Sequence, residues 1–133
     1  MFDSASLGAH APRFLSILRI VTGLLFVSHG TAKVLGFPAA EGLPPPGLSI
    51  AGLSGPLELI LGTLFLLGLF TRPVAFLASG FSAVGYWYAH GPQGRFSMLN
   101  VGETIALYCF VFLYFVFAGP GPWSLDAALR KRA

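Results

Sequence analysis

The stretch from Arg19 to Phe37, RIVTGLLFVSHGTAKVLGF, limits what this chain can become. It closes an apolar segment long enough to cross a bilayer, yet it holds Arg19, His29 and Lys33. A soluble core helix is not this apolar, and a passive anchor does not carry such bases. An ionisable group in hydrocarbon costs several kcal/mol unless it is paired, so these residues need partners and mark a candidate site. The partners are expected in the later apolar segments, at Glu58 and Glu103. Only 10% of the residues are charged and 55% are hydrophobic, where a soluble domain has about 25% charged. The chain reads as one membrane domain over residues 1–133. The net charge of +3 is spread out, and no basic patch of the kind that binds nucleic acid is present. The single cysteine, Cys109, excludes an internal disulfide, a CxxC pair and a thiolate zinc site within one chain. The first dozen residues carry no basic n-region, and the first span reads as retained.

Four spans are predicted, over residues 13–35, 52–70, 73–90 and 99–118. In the first, Arg19, Gly23, Phe26, Gly30 and Lys33 recur at three- and four-residue spacing and share a face that His29 flanks. Its two glycines let another helix or a ligand come close. Pro38 and the run Pro44-Pro45-Pro46 break the helix. Gly55, Glu58 and Gly62 share a face of the second span. Ser79, Ser82, Tyr86 and His90 form a polar stripe on the third, after a tight hinge at Thr71-Arg72-Pro73. Asn100, Glu103, Leu107, Phe110 and Tyr114 share a face of the fourth. Ser124 is placed to cap a short amphipathic C-terminal helix lying on the membrane surface.

The expected fold is therefore all-α, a transmembrane four-helix bundle with both termini on one side. That side carries Arg13, Arg72, Arg130, Lys131 and Arg132, and the other carries Lys33 and Arg95, which puts the termini in the cytoplasm. His29, Lys33, Glu58, His90, Asn100 and Glu103 fall roughly 4 to 14 Å to the outer side of the midplane at the helical rise, forming a polar layer. Arg19 lies on the inner half, where its side chain is expected to snorkel to headgroups.

Several motifs together resemble one family. They are His29-Gly30-Thr31-Ala32-Lys33 with Phe37, Glu58 leading into Leu67-Gly68-Leu69-Phe70-Thr71-Arg72-Pro73, Asn100 with Gly102-Glu103, and Gly119-Pro120-Gly121-Pro122-Trp123-Ser124-Leu125-Asp126. In order and spacing they resemble the DoxX family, small four-helix proteins of bacterial and archaeal cytoplasmic membranes. Pro122 stands where relatives often carry a basic residue. The resemblance implies a link to quinone-dependent oxidation, a role as a membrane oxidoreductase subunit, and, through distant eukaryotic relatives, assembly of other membrane proteins.

Two functional readings follow. In the first, the chain is a quinone-linked accessory subunit. Glu58 and Glu103 act as proton-relaying, catalytic groups, and His29, Lys33, Tyr86, His90 and Asn100 bind the ligand, with Phe26, Phe110 and Tyr114 lining its slot. The chain has no flavin, dinucleotide or iron–sulfur fingerprint, so electrons come from a redox partner protein. In the second reading the chain is a non-catalytic assembly or interaction protein. Lys33 or Arg95 then pairs with Glu58 or Glu103 only to hold the helices together, and Gly23, Gly30 and the C-terminal segment meet a partner. No metal is expected, since the Glu-x-x-His pair of di-iron bundles is missing. A transporter of four spans requires a homo-oligomer. Membrane lipid is a partner under every reading.

Overall fold

The computed structural model describes residues 3–132 and is all-helical over them. Helix α1 runs Ser4–Leu35, α2 Ile50–Leu67, α3 Thr71–Gly85, α4 Glu103–Ala118 and α5 Leu125–Arg130. A π-helical turn, Tyr86–His90, and a 3-10 turn, Gly91–Gln93, prolong α3.

Helix α1 starts at Ser4, not near Arg13. The Asp3 carboxylate accepts hydrogen bonds from the Ala5 and Ser6 amides at 2.8 and 3.1 Å, which gives the helix an N-cap ahead of the expected span. Pro12 sits inside it. The donor that Pro12 lacks belongs opposite the carbonyl of Gly8, which is exposed and open to solvent. Ser49 caps α2 by accepting from the Gly52 amide at 3.0 Å, and Gly68, at φ 67°, ends it in the left-handed conformation. Ser124 caps α5 by accepting from Ala127 at 3.1 Å, as its position in the sequence suggests.

Helix α4 begins at Glu103 rather than Leu99. Asn100 turns the chain instead, its Oδ1 accepting from the Gly102 amide at 2.9 Å. Val101 between them has φ 58°, a conformation costing a β-branched residue on the order of 1–2 kcal/mol.

The helices pack as two hairpins, α1 along α2 and α3 along α4, with α2 and α3 more loosely joined. Glycine sets the first pairing. A Cβ on Gly30 would lie 2.5 Å from the Leu59 amide nitrogen, and one on Gly23 2.8 Å from Leu66 Cα. The glycine-bearing face of α1 is thus used up inside the molecule. All four long helices supply the core: Phe26 from α1, Leu61 and Phe65 from α2, Val74, Ala75 and Ala78 from α3, and Tyr108, Phe112 and Phe115 from α4. Phe112 meets Phe26 and Phe65 edge-on, with centroids 4.9 and 4.8 Å apart. The outside is apolar as well: Leu25, Ile60, Phe76, Leu107 and Phe117 are all exposed. Helices α1 and α2 are each long and apolar enough to cross a membrane, and α4 is a shorter apolar helix.

One end of the bundle is tied shut. Arg19 is 1% exposed and does not reach outward. Its Nε donates to Pro120 O at 2.9 Å, its Nη1 to Phe65 O at 3.0 Å and Leu66 O at 2.5 Å, and its Nη2 to Trp123 O. The guanidinium fork therefore satisfies the last carbonyls of α2 and the turn after α4 together. Arg72 Nη1 caps α4 through Val116 O and Phe117 O. Asp126 caps α3 by accepting from the Phe70 and Thr71 amides at 2.9 and 2.8 Å. This end carries both the start of α1 and helix α5.

Candidate functional site

The opposite end holds a buried ion pair. Lys33 on α1 donates from Nζ to Glu58 Oε1 on α2 at 2.8 Å and to Ser54 Oγ at 3.1 Å. The glycine contacts described above bring α1 and α2 close enough for this. Glu58 is 6% exposed, and its second oxygen, Oε2, is buried with no hydrogen-bond partner. A buried acceptor left unpaired costs about 1–3 kcal/mol, and more when charged. Nothing in the packing of α1 against α2 accounts for that cost.

Two cavities meet at this pair. The larger, of about 520 Å³, lies between α2 and α3 and is walled by Leu53, Leu57, Gly80, Phe81 and Val84. The smaller, of about 400 Å³, runs toward α1 and α4, where Phe26, His29, Val101, Thr104 and Tyr108 line it. Lys33, Glu58, His90 and Ile105 border both. Each volume falls within the range of about 300–1,000 Å³ typical of small-molecule sites.

His90 is held from behind. Its Nδ1 lies 2.9 Å from the main-chain oxygen of Asn100. A carbonyl only accepts, so Nδ1 carries the hydrogen, and in the neutral ring Nε2 is a bare acceptor. Asn100 is fully buried. Its Nδ2 donates to Gly94 O at 2.9 Å and lies 3.4 Å from Tyr86 Oη. Tyr86 also stacks on the His90 ring, at 6.5 Å between centroids. Asn100 and Tyr86 therefore shape the loop and orient His90, and neither lines the two cavities.

The residues anticipated from sequence are thus divided. Phe26, His29, Lys33, Glu58 and His90 converge on the cavities, with the His29 ring edge-on to Tyr108 at 6.2 Å. Glu103 does not join them. It is exposed in the first turn of α4, and among the described residues the one ion pair is Lys33–Glu58. Phe110 is 69% exposed, away from the cavities, and Tyr114 is exposed and lines a separate open cavity at the terminal end. Ser54, Thr104 and Tyr108 were not anticipated. Ser54 stands four residues before Glu58, and Tyr108 shares helical spacing with Phe112 and Phe115, so periodicity could have found both. Among the described residues no three His, Cys, Asp or Glu side chains converge as metal ligands.

Comparison with known proteins gives relatives rather than a chemistry. The DoxX family model matches residues 14–91. An uncharacterized protein of Haemophilus influenzae is 39% identical, over 96% of this chain and 98% of its own length. The inner membrane protein YphA of Escherichia coli is 34% identical, over 90% of this chain and 92% of its own. An uncharacterized membrane protein of Mycobacterium tuberculosis is 31% identical, over 96% and 88%. No solved structure matches.

Proposed function

Because the chain belongs to the DoxX family of membrane proteins, we propose that it is a four-span protein of the bacterial inner membrane that binds a quinone at the loop end of its bundle, as accessory subunit of a membrane oxidoreductase. The observation that carries this reading is the meeting of a largely apolar cavity and a more polar one at Glu58, whose one oxygen is paired and whose other is not.

The membrane placement draws on the exposed apolar exterior, which a water-soluble bundle does not present on this scale. The 32 residues of α1 extend about 48 Å at the helical rise, more than the roughly 30 Å of hydrocarbon. Its first turns and α5 then lie at the surface on the terminal side. Arg13, Arg72, Arg130, Lys131 and Arg132 gather on that side, which supports a cytoplasmic placement for it.

The cavity walls suit a quinone-type ring. The larger cavity, with Leu53, Leu57, Phe81 and Val84, takes the ring and the start of its tail, and its position between α2 and α3 gives entry from the bilayer. Lys33, Glu58 and His90 supply the polar groups that orient the ring. A bound quinone supplies two-electron, two-proton carrier chemistry. Glu58 and His90 are the groups able to hold a proton at the ring edge. Electrons come from a partner protein.

The test is mass spectrometry of quinones and lipids retained by the protein purified in mild detergent, beside Glu58→Gln and Glu103→Gln. Quinone enriched in the native protein and in Glu103→Gln, and lost in Glu58→Gln, is the expected result. If no quinone is retained by the native protein and Glu58→Gln fails to assemble, the ion pair is structural, and the chain is an assembly or interaction protein.

A further inference from the structure

Glu58 and His90 make the same chemical demand on whatever fills the cavities. Glu58 Oε2 is an acceptor with no donor, in a residue 6% exposed. His90 spends its hydrogen on Asn100 O, so its Nε2 also accepts, and no partner for it occurs among the described residues. The donor side is weaker. Lys33 has committed two of its three protons, to Glu58 and Ser54. The hydroxyls of Thr104 and Tyr108 both donate and accept, so they favour neither kind of ligand. With Glu58 ionised against Lys33 and both histidines neutral, the accept-only atoms along the cavity walls, Glu58 Oε2, His90 Nε2 and one nitrogen of His29, outnumber the free donate-only protons, the third of Lys33 and the N–H of His29.

A quinone ring and its reduced form differ in this property. The diketone brings acceptors alone. The dihydroxy form brings two O–H donors on a ring of nearly the same shape. We propose that the site selects the reduced, dihydroxy form of a quinone-type ring over the oxidised diketone, with one ring hydroxyl donating to Glu58 Oε2 and His90 Nε2 available to the other. This preference rests on the quinone reading of the pocket and adds to it which form resides there.

The test uses the full chain in phosphatidylcholine nanodiscs, without oxygen, and three probes: a decyl-substituted benzoquinone, its dihydroxy form and the dimethyl ether of that form. The ether keeps the reduced ring and has no donor. Bound probe is quantified by mass spectrometry across a concentration series. The dihydroxy form is expected to bind roughly tenfold to a hundredfold more tightly than either other probe, the range for a hydrogen bond to a charged group. In Glu58→Gln the amide oxygen must face Lys33, which turns the amide N–H₂ toward the vacant side. The preference should then fall within about threefold or reverse, since one acceptor has become a donor. Should that variant not assemble, the comparison of dihydroxy form with ether on the native protein still decides. Equal binding of those two, or tighter binding of the diketone, overturns the preference and leaves the quinone reading intact. Failure of all three probes to bind removes the quinone reading, and the preference with it.

Discussion

A guanidinium in an apolar chain must find acceptors, and Arg19 finds them in the main chain. Its four carbonyl partners, on Phe65, Leu66, Pro120 and Trp123, belong to residue types that give no sign of the contact. The cost of Arg19 was therefore legible in the sequence and its location was not, and snorkelling to headgroups was the wrong inference. Lysine cannot reproduce the planar fork. Arg19→Lys should destabilise the protein by ~3 kcal/mol or more, read as a large drop in the thermal midpoint in detergent. An unchanged midpoint would show that the carbonyls are satisfied without the fork. Asp126 gives a pH prediction. Burial pushes its carboxyl up, but the Thr71 and Phe70 amides and the Arg130 charge outweigh burial and hold it below the usual carboxylate range. With the folded value depressed, the stabilisation is complete above the ordinary carboxylate value near 3.8. It is lost as the pH falls from there through the lowered one. Asp126→Asn should lower stability at neutral pH by about 1 kcal/mol. It should also flatten the part of the acid melting profile below about pH 4.

At the level of helices, spacing finds the packed face of α1 and misses that of α4, where the expected Leu107, Phe110 and Tyr114 are exposed and Tyr108, Phe112 and Phe115 are buried instead. Gly23 and Gly30 were expected to admit a neighbour, and the neighbour is α2. Gly30→Val should keep α1 from seating on α2 and prevent recovery of folded protein by size exclusion. Gly8→Ala, on an open face of the same helix with nothing within 4 Å, should stabilise by about 0.5–1 kcal/mol. A Gly30→Val variant that folds normally would show that the hairpin is not set by that contact. Helix boundaries were less legible, and one of them altered the site. Counted from Leu99, Glu103 looks like the counterpart of Glu58, each an early carboxylate following a glycine. Asn100 and the left-handed Val101 delay α4 until Glu103. That residue consequently stands in the first turn, exposed, where a negative charge suits the helix terminus. Side-chain turn chemistry, not hydrophobic period, broke the apparent symmetry.

For the molecule as a whole, the two hairpins place the ends of the described chain together and the loops 36–49 and 94–102 at the other end. In a Cys109→Ser background, Ser4→Cys and Ala128→Cys should be labelled by a membrane-impermeant maleimide only after the cytoplasmic face is opened. Gln93→Cys should be labelled in intact spheroplasts. All three of these positions are exposed. The reverse pattern would invert the orientation, and labelling of Ser4→Cys and Ala128→Cys from opposite sides would rule out an even number of spans.

The knot of Arg19, Arg72 and Asp126 has a mechanical consequence. It fastens both hairpins at the end bearing Ser4 and α5, while at the other end two voids part the hairpins and the ion pair lies within the first hairpin. Such a body works like tongs, with its pivot at the Gly68–Phe70 corner and its jaws among the loops. On the proposed reading, a bulkier guest would be taken in by spreading the jaws, with little disturbance at the pivot. Amide hydrogens around Phe65 and Phe115 should accordingly be the slowest in the chain to exchange, and those facing Gly80 and Gly85 among the quickest within the helices.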